Sequence, residues 1–414
     1  MIPPFDVHIL SSSAYFFYLC RKKLNDNQLF IAKTQYGLEE LLAAELKAIG
    51  ARDIQLLTRA VSFRGGLREM YAANYTCRTA LHILMPVLDF KFRDKEQFFD
   101  LIKKFEWADY FGPDNTMSID TVMSDSFFTN SHYVSLLCKD AVADYFRDKF
   151  KRRPSVDLEN PNVKIHLHIR GHECSVSFDS SGGSLHRRGY RVKQGLAPMS
   201  EVLAAGMVML SGWDKKCNLY DPMCGSATIL TEAAMIAGNI PAGYYRKSFG
   251  FEKWKDFDED LWQEVKNAAD ENISEYECAI VGADNSVQAI KAAEDNLKSA
   301  RLHKDIHLTV CDFREFRFPS EKAMIITNPP YGERIKPEDI IRLYKDIGDT
   351  LKNHCHGYQA WIISSHFDAL KFIGLKPGKK ITLFNGPLEC KFVKFDIFEG
   401  SLKQKKENEH GHLR

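Results

Sequence analysis

The pattern of apolar and polar positions divides the chain into three parts, and the first part mixes the two regular periods. Leucine and isoleucine recur every three or four residues from Leu38 to Ile49, which predicts a helix that ends at Gly50. Short apolar runs around it predict strands and a second helix near 67–79, the strands lying at 29–34, 54–57, 60–63 and 81–90. This mixture indicates a small α+β domain, which we expect to span residues 29–90.

The second part, which we expect to span residues 91–180, combines one long helix with strands. The pattern predicts a strand at 116–123 and a helix at 131–150. Apolar and polar residues then alternate strictly from Val163 to Ile169, as in a half-buried strand, and a turn at Gly171 leads into the next strand. After this second α+β domain, the run Ser-Ser-Gly-Gly-Ser at 180–184 predicts a flexible linker.

The third part has a different pattern of secondary structure, because strands with Gly- or Asp-rich ends alternate with helices. These strands are predicted at 217–221, 279–284, 306–311, 323–328 and 358–364. Such alternation is typical of a doubly wound, mostly parallel sheet, and we expect the domain to span 185–400. The last two strands, 380–385 and 389–397, are predicted to be antiparallel because the tight Gly386-Pro387 joins them. Residues 1–28 are predicted to be an N-terminal extension, and residues 401–414 a polar tail.

Composition narrows the class of protein only a little. The 414 residues carry 56 Lys+Arg and 55 Asp+Glu, so a nucleic-acid surface must come from local clustering rather than from net charge. The ten cysteines include no CxxC pair, which disfavours a zinc ribbon, and we expect no metal. Unpaired cysteines fit a reducing compartment, hence the cytoplasm. No run approaches the roughly 18 apolar residues of a membrane span.

A small-residue turn follows the first strand of the third part. Asp221 ends the strand, and Pro222, Cys224, Gly225 and Ser226 lead into an apolar helix. Ligands bind at the carboxyl ends of such strands, a glycine lets a ligand approach the backbone, and the helix N-terminus offers N–H donors to a carboxylate. The spacing is not GxGxxG, which disfavours a dinucleotide. We expect S-adenosylmethionine instead, with Asp221 binding its ammonium group.

Two further acidic residues end the next two strands. Asp284 is placed to accept both ribose hydroxyls of the cofactor, although an insertion at 238–262 lengthens its distance from the glycine turn. Asp312 is placed to accept the adenine amino group. Each acid alone fits a strand-end turn or a helix cap equally well. Three acids at the ends of three successive strands favour the cofactor site.

The most specific stretch is Asn328-Pro329-Pro330-Tyr331, directly after an apolar strand. Proline fixes φ and removes N–H donors, so this loop is rigid and presents acceptors. The side-chain oxygen of Asn328 and the carbonyl of Pro329 can receive the two hydrogens of an exocyclic amine, while Tyr331 stacks on a flipped base. Proximity and orientation then supply most of the rate, without a strong general base. A plain loop is the alternative for this string in isolation.

Two basic stretches are candidate RNA contacts. The first precedes the third part and interleaves basic residues with an aromatic one, in a pattern that suits single-stranded RNA: Arg187, Arg188, Tyr190, Arg191 and Lys193. Its alternative is a linker that packs its tyrosine on the domain surface. The second lies at the end of the long helix and includes Arg152 and Arg153. Its alternative is a solvated helix end favoured by the helix dipole.

Together these motifs resemble the THUMP-domain class I RNA methyltransferases of the RlmL type. The resemblance covers about residues 29–400 and rests on pieces in family order: Tyr36–Leu42, Leu185–Arg191, Ala197–Ala205, Asp221–Thr228, Asn328–Arg334 and Asn385–Cys390. It implies a ferredoxin-like unit, then a THUMP domain that binds RNA, then a Rossmann-like methyltransferase domain with a mostly parallel seven-stranded sheet. Family members usually have Gly at the position of Ala227, where the extra methyl group would weaken cofactor affinity if it is not tolerated.

The resemblance further implies methylation of guanine N2 in 23S rRNA, with free 23S rRNA or a large-subunit assembly intermediate as partner. Fused members carry a second methyltransferase domain, so this chain is expected to make one modification. A transfer-RNA guanine-N2 enzyme and a DNA adenine-N6 enzyme stay open as alternatives, because the Asn328 loop serves any exocyclic amine. A non-catalytic RNA-binding factor is a third alternative, which the intact site residues disfavour. We expect no membrane association and no obligate protein partner.

Overall fold

The computed structural model describes residues 26–193, 199–319, 322–330 and 337–398. The expected N-terminal extension up to residue 25 and the tail at 401–414 lie outside this range. The chain forms two compact units. Among the described residues, those up to 187 together with 246–271 form an N-terminal unit, and those from 188 to 245 together with those from 272 onwards form a C-terminal unit.

The N-terminal unit is built on one eight-stranded sheet with the order β2-β3-β1-β4-β8-β7-β5-β6. Its elements are β1 (Gln28–Thr34), α1 (Glu39–Ala48), β2 (Arg52–Leu57), β3 (Ala60–Gly65), α2 (Leu67–Thr76), β4 (Ala80–Lys91), α3 (Lys95–Lys104), β5 (Thr116–Ser124), α4 (Ser131–Phe150), β6 (Ser155–Val156), β7 (Val163–Arg170) and β8 (Glu173–Asp179). The predicted strands and helices are all present.

The two α+β domains expected from the sequence share this sheet. Strand β4 of the first pairs with β8 of the second along its length, from Leu84 opposite Asp179 to Lys91 opposite Glu173. The alternating residues of β7 bury Val163 to Ile169 on one face, and these join a single core with residues of the first domain such as Phe30. A buried strand face gains stability only when it is covered, and here one core covers both halves.

The C-terminal unit is a doubly wound sheet with the order β11-β10-β9-β12-β13-β15-β14, and it confirms the predicted fold class. All its pairings are parallel except those of β15 with β13 and β14, as the short Gly386 turn predicts. The elements from residue 199 onwards are α5 (Glu201–Ser211), β9 (Asn218–Asp221), α6 (Thr228–Ala237), α7 (Glu259–Asp270), β10 (Ile280–Asp284), α8 (Val287–Ser299), β11 (Ile306–Val310), β12 (Ala323–Thr327), α9 (Pro337–His354), β13 (Gln359–Ser364), β14 (Pro377–Asn385) and β15 (Leu388–Asp396).

The expected flexible linker at 180–184 is wrong, because this segment is packed. Ser180 and Ser181 are buried, and both exchange hydrogen bonds with the side chain of Asn74 at 2.8 and 2.7 Å. The hydroxyl of Ser180 also donates to the Ile83 carbonyl at 2.7 Å, and the amide of Ile83 donates to Ser181 at 2.9 Å. Small residues serve close packing here, and every buried hydroxyl has a partner.

Residues 246–271, which include α7, interrupt the sequence of the C-terminal unit and pack within the N-terminal one. The rings of Phe251 and Trp262 lie 4.4 and 5.9 Å from that of Tyr71 on α2. Tyr75 donates to Asp270 at 2.7 Å. The expected continuous domain 185–400 therefore differs from the compact unit by this one segment, which has the aromatic content of a core element.

The close contact between Gly182 and Gly250 gives a test of this packing. A Cβ on Gly250 would lie 2.6 Å from the amide nitrogen of Gly182 and 2.9 Å from the Asp179 carbonyl, whereas a Cβ on Gly183 meets nothing within 4 Å. We expect Gly250→Ala to lower the free energy of unfolding by about 1–3 kcal/mol, because backbone atoms must move apart. Gly183→Ala is the control in urea unfolding. Equal stabilities of the two variants would contradict the packing.

Candidate cofactor and catalytic site

Asp221 lies at the carboxyl end of the central strand β9 and is almost fully buried, with 1% of its surface exposed. Its carboxylate accepts hydrogen bonds from the hydroxyl of Thr327 at 2.7 Å and from the amide of Met223 at 3.2 Å. Burial and the nearby charge of Asp284 together raise the pKa of Asp221 to about 7, against the two hydrogen bonds, which lower it. A cation beside a buried carboxyl of this kind favours its ionised form.

The turn after β9 leaves open space beside the backbone of Gly225. This residue has a φ of +54°, and a Cβ built on it meets nothing within 4 Å. Its amide donates to one carboxylate oxygen of Asp284 at 3.0 Å, and the amide of Ser286 donates to the other oxygen at 2.9 Å. The amide of Cys224 donates to the Ala283 carbonyl at 2.8 Å, so the turn is fixed to the end of β10. Each Asp284 oxygen retains acceptor capacity for a ligand hydroxyl.

Asp312 follows β11 and is held by an arginine two residues later. Arg314 donates to both of its carboxylate oxygens, at 2.8 and 2.6 Å, and these hydrogen bonds lower the pKa of Asp312. Arg314 also contacts Asp346 on α9 at 3.3 Å. The amide of Cys311 donates to the Asp284 carbonyl at 3.1 Å, which places the two strand ends side by side. An amino group that binds Asp312 must share its oxygens with Arg314.

Asn328 follows Thr327 at the end of β12, next to the turn that carries Asp221. Its side-chain oxygen is buried and has no hydrogen-bond partner among the described residues. A buried unpaired acceptor is costly in a folded protein, so such an atom points to a donor from a ligand. Pro329 is buried and Pro330 is exposed. Tyr331 lies outside the described residues.

The sequence pattern missed Asn296, a buried residue on α8. Its side-chain oxygen accepts from the amides of Val192 and Lys193, both at 2.9 Å. Its side-chain nitrogen donates to the carbonyl of Lys193 at 3.1 Å and to that of Ser226 in the turn after β9 at 3.3 Å. One amide thus ties the segment before α5 to this turn. The only signal in the sequence was an asparagine on the apolar face of an amphipathic helix.

The structure corrects the predicted RNA surface at Arg188, Tyr190 and Arg191. Arg188 and Tyr190 are each 1% exposed. The Tyr190 hydroxyl donates to Glu232 on α6 at 3.0 Å, and Arg188 approaches the same carboxylate at 3.4 Å. Buried side chains of this kind cannot stack on a base. These residues anchor their segment to α6 instead.

Arg191 belongs to the same buried network. It donates to the carbonyl of Met199 at 2.7 Å and to the hydroxyl of Thr228 at 2.9 Å, and it lies 3.1 Å from the carboxylate of Glu201. Glu232 lies inside the apolar helix α6, and a glutamate in such a position was the available sign that Arg188 had a buried partner. Glu201 is the first residue of α5, where an acidic residue is common, so it gave no such sign.

The remaining candidate RNA contacts are on the surface. Arg187, Lys193, Arg152 and Arg153 are exposed, and Arg152 forms an ion pair with Asp114. Their contact with phosphates stays a prediction. In the described part of the chain, no cluster of three or more His, Cys, Asp or Glu side chains is arranged to hold a metal ion. None of the helices described has the length and apolar character to span a membrane.

The left-handed backbone of Ala227 gives a second test. Ala227 lies at the N-cap of α6, just before the first helical residue, with a φ of +62° and a fully buried methyl group. We expect Ala227→Gly to change the free energy of unfolding by less than about 1 kcal/mol, because relief of left-handed strain offsets the lost methyl and the added chain entropy. Ala233→Gly, equally buried inside α6, has no strain to relieve and should destabilise by about 2 kcal/mol. Similar losses in both, measured by urea unfolding, would contradict this assignment.

Three family models match the chain in order. The RlmL ferredoxin-like domain matches residues 29–84, the THUMP domain matches 92–179, and the RMKL-like methyltransferase domain matches 188–394. Among solved structures, a candidate methyltransferase in complex with SAH is 27% identical with a TM-score of 0.81, over 91% of this chain and 100% of that one.

Two relatives show how far the likeness extends along the sequence. A candidate RNA methyltransferase of Synechocystis is 35% identical over 371 residues, which are 89% of this chain and 97% of that protein. The ribosomal RNA large subunit methyltransferase K/L of Methylococcus capsulatus is 37% identical over 377 residues, 89% of this chain but 51% of that protein, so the chain spans about half its length. The chain therefore belongs to the RMKL-like methyltransferase family that carries RlmL ferredoxin-like and THUMP domains.

Proposed function

We propose that this protein transfers a methyl group from S-adenosylmethionine to the exocyclic N2 of a guanosine in 23S rRNA, in the cytoplasm. The observation that carries the proposal is the buried side-chain oxygen of Asn328, which has no hydrogen-bond partner among the described residues and lies at a strand end beside Asp221. An exocyclic amine supplies the donor that this oxygen lacks. The names of the K/L relatives and the THUMP match support an RNA substrate.

The residues at the strand ends fit the cofactor. The buried Asp221 would bind the ammonium of its methionine part, the space beside Gly225 would admit its chain, and Asp284 would accept the ribose hydroxyls. Asp312, shared with Arg314, would accept the adenine amine. Pro222, Cys224 and Ser226 would form the rest of the turn. When bound, S-adenosylmethionine supplies an electrophilic methyl group on a sulfonium.

The Asn328 loop would hold the target nitrogen for the transfer. One amine hydrogen donates to the side-chain oxygen of Asn328 and the other to the Pro329 carbonyl. Both bonds raise electron density on the nitrogen and fix its orientation, so that proximity supplies most of the rate. The proton can leave after the methyl group is bonded. Tyr331 would stack on the flipped base, and Pro330 would keep the loop rigid.

The choice of substrate rests on what precedes the methyltransferase domain. The same loop chemistry would serve a transfer-RNA guanine or a DNA adenine. The N-terminal unit with its THUMP match favours RNA, and the exposed Arg152, Arg153, Arg187 and Lys193 are candidate phosphate contacts. The partner would be 23S rRNA or a large-subunit assembly intermediate.

Nucleoside mass spectrometry on a strain that lacks this gene tests the proposed substrate. We expect the amount of N2-methylguanosine in 23S rRNA to fall, because guanosine is the nucleoside proposed to enter the site. The same digest is run on transfer RNA and genomic DNA as internal controls. A loss confined to transfer RNA, or a loss of N6-methyladenine from DNA, would replace the proposal by the corresponding alternative.

Asn328→Ala tests the catalytic role directly. We expect the variant to keep its unfolding midpoint and its affinity for S-adenosylhomocysteine, while turnover falls by at least about a hundredfold, because the orienting acceptor is lost. Asn328→Asp keeps an acceptor oxygen and should retain part of the activity. Methylation at the normal rate by Asn328→Ala would remove this residue from the mechanism.

The raised pKa of Asp221 predicts a pH-dependent affinity for S-adenosylhomocysteine. The ammonium of the ligand binds the ionised carboxylate, so the affinity should fall by up to about tenfold per pH unit below the pKa of about 7 and level off above it. Asp221→Asn should bind weakly at every pH. Calorimetry between pH 5.5 and 8.5 makes the measurement, and a flat profile for the natural protein would contradict the assignment.

The same shift has the opposite effect on the unliganded protein. A carboxyl with a raised pKa in the folded state favours folding while it is neutral, and this stability is lost as the pH rises through about 7. Asp221→Asn should therefore gain stability relative to the natural protein above pH 7, which thermal unfolding without ligand will show.

A further inference from the structure

A second surface lies beside the Asn328 loop, at the end of the neighbouring strand of the same sheet. Thr327 of β12 pairs with Ile362 of β13, and Ser364 of β13 pairs with Lys391 of β15. Residues just beyond Ser364 therefore leave the sheet at the same edge as Asn328. Adjacent strands are about 4.8 Å apart, so this surface begins about 5 Å from the strand that carries the proposed catalytic loop.

The loop after Ser364 is fixed by its own hydrogen bonds. The buried hydroxyl of Ser364 accepts from the Tyr344 hydroxyl at 2.6 Å and from the amide of His366 at 3.0 Å. The ring of His366 accepts from the amide of Ala369 at 3.1 Å. The backbone on both sides of Phe367 is thus held in place.

Phe367 is nevertheless 43% exposed. The ammonium group of Lys391 lies 5.4 Å from its ring centroid, a cation–π distance, and is itself held by Thr382 and Glu389, both at 2.8 Å. The charge of Lys391 is therefore balanced by Glu389, and its contact serves to orient the ring. A rigid loop that presents an oriented, exposed aromatic ring has the features of a stacking platform.

Two lysines add positive charge farther along the same sheet, on its outer strand. Lys379 and Lys380 on β14 are exposed and form no ion pair with the described residues. Lys380 pairs with Val393, which lies two residues, or about 7 Å, farther from the edge of the Phe367 loop than Lys391. An exposed ring with uncompensated positive charge farther along the sheet is complementary to a nucleotide strand, which has flat bases and anionic phosphates.

We propose that Phe367 stacks on the base of an unpaired nucleotide that neighbours the target in the RNA, while Lys379 and Lys380 attract phosphates farther along the same RNA strand. The inference rests on the proposed function for the identity of the target. It adds a subsite that holds the strand on one side of the flipped nucleotide. A fixed neighbour would restrict which bases can reach Asn328.

The test compares two phenylalanines of nearly equal exposure at opposite edges of one sheet. Phe398 follows β15 at the far edge and is 42% exposed. We expect Phe367→Ala to weaken binding of a fluorescein-labelled oligoadenylate of roughly twelve nucleotides by about 5- to 100-fold, which corresponds to one stacked base. Phe398→Ala should bind like the natural protein, and Phe367→Trp should restore binding. Fluorescence anisotropy measures the affinity without turnover.

Two further readouts separate this proposal from the proposed function. Phe367→Ala should raise the KM for an rRNA fragment while affinity for S-adenosylhomocysteine stays unchanged. Equal oligonucleotide affinities of Phe367→Ala and Phe398→Ala would overturn the subsite, whatever the enzyme methylates. If the natural protein methylates no RNA but Phe367→Ala still loses oligonucleotide binding, the subsite stands and the proposed reaction fails.

Discussion

The hydrogen bond between Thr327 and Asp221 joins the ends of the two central strands, and the geometry of the site depends on it. Asp221 ends β9 and begins the turn that we propose to bind the cofactor, and Thr327 is followed directly by Asn328. The distance between the proposed cofactor site and the proposed catalytic oxygen is therefore set by the sheet rather than by flexible loops. This arrangement costs free energy because the carboxyl of Asp221 is buried, and its raised pKa reflects that cost.

A second constraint, a network of buried side chains, holds the turn after β9 in place. The buried pair of Arg188 with Glu232 ties the segment before α5 to α6, the pair of Arg191 with Glu201 ties it to α5, and Asn296 ties the same segment to Ser226. Buried ion pairs contribute little net stability, yet losing one partner leaves a costly unpaired charge. Such a network therefore specifies one arrangement of the turn more than it stabilises the unit.

The sequence predicted the structure well where a single hydrophobic period or a single strand end determines it. The alternation of β7, the helix α4 and the strand-end acids Asp221 and Asp284 could all be located from it, because each depends on residues close in the chain. The sequence did not predict burial where the partners of a residue lie far away in the chain. The segment 180–184 has the composition of a linker, but Ser180 and Ser181 are buried with partners about a hundred residues earlier in the chain, at Asn74 and Ile83. Tyr190 has the side chain of a stacking residue, but its hydroxyl donates to the buried Glu232 instead.

The interrupted path of the chain has a consequence for folding during synthesis. The core around Tyr71 includes Phe251 and Trp262, which are made long after the eight strands of the N-terminal sheet. That unit cannot complete its core until residue 271 has left the ribosome, by which time β9 and α6 are already outside. A fragment that ends at residue 187 would expose the aromatic surface of α2 to solvent. The parts of the N-terminal unit therefore pack together in the folded protein but are synthesised at different times.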